Sequence, residues 1–156
     1  MKARLALAVW ILTILAILLA GCRATQATQI VEQMEQAWLD QKVASYRIEV
    51  LVIRSIWHAQ SHQITVRDNQ VESATAACIP APIEAGKCKV ETFKAEDYTV
   101  AGLFRKARSE AESREATPAK ITYDSTYHFP QQLSYNDPNM VDEDWSWRVT
   151  AFEVLK

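Results

Sequence analysis

The apolar positions of this chain change period along its length. Residues 5–20 form one apolar run, LALAVWILTILAILLA, broken only by the hydroxyl of Thr13. Further on, Ile30, Met34, Ala37, Trp38 and Gln41 recur at helical spacing, with Glu32, Glu35, Gln36 and Asp40 on the other faces. That pattern predicts an amphipathic helix over residues 29–43. At Ser45 the period becomes two. Tyr46, Ile48, Val50 and Val52 alternate with Arg47, Glu49, Leu51 and Ile53, which predicts a strand with one fully apolar face. Residues 58–62 read as a turn, Ile64 and Val66 as a second strand, Asp68-Asn69 as a tight turn and Val71 as the start of a third strand. Together they predict an antiparallel meander.

Residues 76–97 read as irregular, with Pro80, Pro82 and Gly86. A second helix follows. Thr99 is placed to cap it, and Tyr98 before the cap can pack on Leu103 as a hydrophobic staple. Val100, Leu103, Phe104, Ala107 and Ala111 make its apolar stripe, Glu110 and Arg114 pair on the wet side, and Pro118 is the expected stop. Three further strands are expected at 120–124, 131–135 and 145–154. The order α-β-β-β-loop-α-β-β-β predicts an α+β fold, with two helices packed on one face of an antiparallel sheet.

Lys2 and Arg4 precede the first apolar run, and Leu19-Ala20-Gly21-Cys22 closes it. A basic head, a short apolar segment and small residues before a cut are the parts of a secretory signal. The last four residues resemble the lipobox of bacterial lipoproteins at every position. The resemblance implies cleavage between Gly21 and Cys22, diacylglycerol on the Cys22 sulfur, and a further fatty acyl group such as palmitate. The rival reading is an uncleaved membrane helix, for which the run is short of the roughly 20 residues a span needs. The expected organisation is a signal peptide at 1–21, a lipidated tether at 22–28 and a single α+β domain at 29–156. The expected location is the cell membrane or outer membrane, lipid-anchored and extracytoplasmic.

The chain has 156 residues, 49% hydrophobic and 23% charged, and suits one globular domain. Its net charge of −2 comes with no basic stripe, which argues against a nucleic-acid partner. Nor would that charge draw it to an anionic lipid surface, so the lipid on Cys22 is the expected membrane contact.

Several short motifs recur in one pattern: Trp38 followed by Tyr46, the turn Asp68-Asn69-Gln70-Val71, the Val100 to Phe104 segment, and Tyr123-Asp124, Phe129-Pro130, Asp137 and Asp142-Glu143. In this the chain resembles the bacterial lipoprotein family catalogued as domain of unknown function 6174, over residues 31–154. Asn69 stands where that family often has Gly, and Phe129-Pro130 lacks the Gly that often precedes the pair. The family has no assigned activity, so the resemblance implies fold and location and leaves function open.

Cys78 and Cys88 make an even pair once Cys22 is lipidated, and in a secreted chain they are expected to form a disulfide. Closing so short a loop contributes about 2–3 kcal/mol in the chain-entropy argument. The rival, a redox or metal pair, lacks both a Cys-x-x-Cys spacing and a neighbouring His. His58 and His62 are four apart, a zinc-ligand spacing on a helix, but flanks that alternate like strands make them a solvated hairpin tip instead. His128 stands alone in a turn. Asp137, Asp142 and Glu143, with Asp124, are the candidate ligand or cation set; weak Ca²⁺ binding competes with plain Asx turns and solvated carboxylates. Trp145 and Trp147 share one strand face, and Trp57 ends another strand. Such rings stack on sugars or peptides, or fill a core.

With only three Gly there is no phosphate loop, and neither a Gly-x-Ser-x-Gly elbow nor a His-Glu-x-x-His pair occurs. No metal ligand set, cofactor or catalytic residue is therefore expected. The favoured expectation is a non-catalytic module binding an envelope protein, peptide or cell-wall component. Its alternatives are an envelope hydrolase using Asp124, Asp137, Asp142 or Glu143, and a structural accessory subunit of a membrane complex.

Overall fold

A computed structural model describes residues 26–55, 58–79, 89–113, 119–135 and 145–156. The expected signal peptide, with Gly21 and Cys22, lies outside them, as do Trp57, Cys88, Asp137, Asp142 and Glu143. Helix α1 spans Gln26–Asp40, displaced by three residues at each end from the expected 29–43. It stops because Gln41 and Lys42 turn their N–H groups to the Trp38 and Leu39 carbonyls, three residues back, at 3.1 Å. Lys42 then takes a φ of 55°, a left-handed geometry that ends helices. The buried stripe centres on Val31 and Trp38, which are seven apart and so nearly in line. Ile30, expected inside, is 42% exposed.

Strands β1 (Tyr46–Ser55), β2 (His58–Arg67) and β3 (Gln70–Cys78) form the expected meander. Asp68 and Asn69 both have positive φ, 48° and 63°, as a two-residue type I′ hairpin turn requires. The expected turn at 58–62 is a correction: these residues are strand. Ser55 pairs directly with His58, so the β1–β2 connection is far tighter than the polar run suggested.

A short 3₁₀ turn at Ala95–Tyr98 leads into α2, Val100–Glu112. Thr99 caps it as expected, its Oγ1 accepting the Gly102 N–H at 3.1 Å. The stripe Val100, Leu103, Phe104, Ala107 and Ala111 is buried throughout. The helix ends at Glu112, where Ser113 takes an extended ψ of 137° and donates to the Ser109 and Glu110 carbonyls. Pro118 is therefore not the stop; it and Arg114 fall outside the described residues. Strands β4 (Lys120–Tyr123), β5 (Pro130–Tyr135) and β6 (Trp145–Val154) complete the chain.

All six strands join one antiparallel sheet in the order β3-β2-β1-β6-β5-β4, so β1 and β6 pair at the centre. Both helices contribute to one core with the inner faces of these strands, where Trp38 meets Tyr46, Phe129 and Phe152 edge-on at 5.8–6.0 Å. Arg108 of α2 binds Glu35 of α1. Tyr46 ties sheet to helix, its hydroxyl accepting the buried Val100 N–H at 3.0 Å.

Candidate functional site

The inner face of the sheet changes character along its strands. On β2 the core-facing positions are Gln60, His62, Ile64 and Val66. Ile64 and Val66 continue the apolar core, whereas Gln60 and His62 are polar yet only 4% and 2% exposed. Register places Gln60 in a row across the whole sheet, running Ile121, Leu133, Trp147, Val52, Gln60, Cys78. The row is apolar at β4 and ends in amide and sulfur at β3.

Trp147 enters that row because β6 carries a bulge. Glu49 pairs with Ala151 but Val50 pairs with Val149, leaving Thr150 as the extra residue. One inserted residue exchanges the two faces of everything beyond it. Phe152 thus faces the core on one side of the bulge, with Val149, Trp147 and Trp145 facing it on the other. An unbulged strand would have turned Arg148 inward.

His62 lies flat on Tyr98, with ring centroids 4.0 Å apart, and meets Phe93 edge-on at 4.7 Å. Its Nδ1 is buried with no hydrogen-bond partner among the described residues, and the same holds for Trp147 Nε1. Burial, followed by the positive charges of Lys106 and Arg54, lowers the His62 pKa to about 4, so this imidazole is neutral at physiological pH. The Lys106 ammonium sits 4.4 Å from the centre of the Tyr98 ring, a cation–π contact. Burial also pulls Lys106 below its ordinary pKa, with Asp97 opposing that shift and Arg54 and Arg105 adding to it. Burial raises the Tyr98 hydroxyl against a hydrogen bond and charge from Arg54.

Beside these groups opens a cleft of about 480 Å³ between the ends of β1 and β6 and helix α2, with Val52, Arg54, Tyr98, Lys106, Trp145 and Trp147 in its walls. That size falls within the range of small-molecule sites. Val52 and Arg54 also border the small recess containing Gln60 and His62, so the two spaces share a wall. At the rim Trp145 stacks on Tyr135, with planes 17° apart.

Of the residues expected to carry chemistry, Asp124 follows β4, and its Oδ1 accepts the N–H groups of Thr126 and Tyr127 at 2.9 and 2.6 Å, an Asx-type turn. His128 closes that turn with a φ of 64°, donating its N–H to the Asp124 carbonyl. Cys78 ends β3. His62, expected at a solvated tip, is instead a core-facing residue of the site. Among the described residues, no group of three or more His, Cys, Asp and Glu is arranged to hold a metal ion, and no helix is long and apolar enough to cross a membrane.

The sequence pattern gave Lys106 and Arg54 no role and read Tyr98 only as a staple at the start of the second helix. The signal for the β6 bulge was present: apolar residues at 145, 147 and 149 resume at 152 and 154, a step of three where an unbroken strand requires two.

These features define a small α+β sheet domain whose core opens at one end into a cleft of aromatic rings and hydrogen-bond donors. The chain belongs to a family of unknown function, DUF6174, which it matches over residues 31–154. No curated protein and no solved structure matches it.

Proposed function

We propose that this is a membrane-anchored extracytoplasmic lipoprotein whose domain is a non-catalytic binding module. The observation that carries the binding reading is the replacement of apolar core by Gln60 and His62 beside the Trp145–Trp147 cleft. Burying polar side chains costs stability, and sequences depart from their own apolar pattern chiefly where a site requires it. The anchor rests on Leu19-Ala20-Gly21-Cys22 and the basic, apolar leader before it. A Cys78–Cys88 disulfide fits an oxidising compartment and the even pair of cysteines left once Cys22 is lipidated. It would brace the β3 end of the cross-sheet row.

An envelope hydrolase is the competing reading. Asp124, the acid it shares with the described residues, already spends one carboxylate oxygen on two backbone N–H groups. The test is capture of the lipidated chain with its neighbours from native membranes, read by mass spectrometry, alongside a hydrolase panel. Enrichment of a partner that is lost when the cleft is altered supports the module. Turnover abolished by Asp124→Asn, with nothing enriched, overturns it.

A further inference from the structure

Two residues of the cleft wall, Trp147 and Lys106, carry donors that lack a hydrogen-bond acceptor among the described residues. Trp147 is 3% exposed, and its indole Nε1–H, which can only donate, meets no acceptor among the described residues. Lys106 is half-buried, its ammonium lies over the Tyr98 ring, and it makes no hydrogen bond or ion pair among the described residues. Asp97, the acid that most favours the charged lysine, is itself turned toward Arg105 at 3.7 Å. Arg54 brings a second cation, paired with Glu91 at 2.7 Å. Glu110 also lines the cleft, but it is engaged in an interaction of its own. What remains to be matched is a buried neutral donor and a partly desolvated ammonium, beside apolar surface from Val52, Ile53 and Trp145.

We propose that this cleft binds a small amphipathic anion, with a carboxyl or phosphoryl head accepting from Trp147 Nε1–H and Lys106 and a ring-sized apolar body against Val52, Ile53 and Trp145. The inference rests on the binding reading above and gives it a ligand class. A neutral sugar would satisfy the indole and stack on Trp145, but it would add no negative charge beside an ammonium that Asp97 favours only from a distance while facing Arg105. A cation would add to the charge that already depresses His62. An anion satisfies both groups, and hydrogen bonds between ionised partners are shorter and stronger than neutral ones. The cleft volume limits the body to a small molecule.

The test is calorimetric titration of the full lipidated chain in neutral maltoside micelles, with titration into empty micelles subtracted. The probes are 4-phenylbutyrate, phenyl phosphate and the uncharged 4-phenylbutyramide. Saturable binding of at least one anion is expected, with the amide about tenfold or more weaker; whichever anion binds more tightly identifies the head group. Lys106→Met should weaken the anion by roughly tenfold and leave the amide unchanged. Trp147→Phe, which keeps an aromatic ring and removes the N–H, should weaken both, because an amide carbonyl also accepts. Lys106→Gln, with an unchanged melting temperature, guards against a folding defect. If amide and anions bind equally and Lys106→Met changes nothing, the anion class is wrong while the binding reading stands. If no probe binds, the anion inference falls, and membrane capture decides the binding reading separately.

Discussion

The imidazole of His62 and the phenol ring of Tyr98 lie parallel within 8° at 4.0 Å, and Lys106 Nζ stands 4.4 Å from the centre of that same phenol ring. This arrangement joins β2, the 3₁₀ turn and α2. It also has a pH consequence. An unfolded histidine takes its proton near pH 6.5, whereas His62 in the fold takes it near 4. Between those values the unfolded chain binds more protons, so stability is full above pH 6.5, falls toward pH 4 and then levels off. The loss is at most about 3 kcal/mol. His62→Phe keeps an aromatic stack and removes the proton, so its melting temperature should fall less between pH 7 and 4.5 than that of the parent. Parallel curves would remove His62 as the source.

Tyr46→Phe leaves the Val100 N–H buried without its acceptor. Urea unfolding should show a loss of about 1–3 kcal/mol with an unchanged slope. A smaller change would mean that another group takes over the N–H.

Gly102 marks the closest approach of α2 to the preceding turn. A Cβ there would lie 2.2 Å from the Glu96 carbonyl oxygen and 2.6 Å from the Asp97 carbonyl carbon, both of them backbone. Gly102→Ala must therefore shift the Ala95–Tyr98 turn, and with it the Tyr98 ring that stacks on His62. The expected cost is about 3 kcal/mol, at the upper end for overpacking. Near-UV circular dichroism should register the displaced rings. An alanine variant as stable as the parent would show that the turn is free to yield.

Removing the Thr99 cap should cost less. Its hydroxyl accepts from Gly102 N–H and donates to the Glu96 carbonyl. Thr99→Ala should lower stability by about 1 kcal/mol in thermal unfolding. No change would mean that water replaces the cap.

The elements most legible in the sequence are those whose local chemistry agrees with their burial. Thr99 caps, Val100 to Ala111 keep helical spacing, and Asp68-Asn69 supplies two left-handed residues between alternating flanks. The α+β architecture follows from these. The site was hard to read for the opposite reason. At Gln60 and His62 local polarity says turn, while the register set by Ile64 and Val66 carries them inside. Trp147 was legible as an aromatic on a shared face. Its placement beside Val52 depends on the Thr150 bulge, and its unpaired N–H depends on neighbours distant in sequence. Lys106 and Arg54 look like solvated charges until α2 and β1 bring them to one cleft.

The anchor has its own test. Cys22→Ser should remove both cleavage and lipid, so a full-length product of altered mobility should accumulate and the mature, fatty-acylated form should vanish from mass spectra. A variant processed and acylated like the parent would contradict the lipoprotein assignment.

The claim that the cleft is a ligand site is tested most directly at the Trp147 indole. In a ¹H–¹⁵N spectrum of the full chain, the Trp147 Nε1–H signal, assigned through Trp147→Phe, should shift strongly downfield as 4-phenylbutyrate or phenyl phosphate saturates, because a free donor gains a charged acceptor. The indole of Trp38, buried on the far side of the core, should stay in place. A Trp147 signal that does not move at saturating concentrations of either anion would contradict the account.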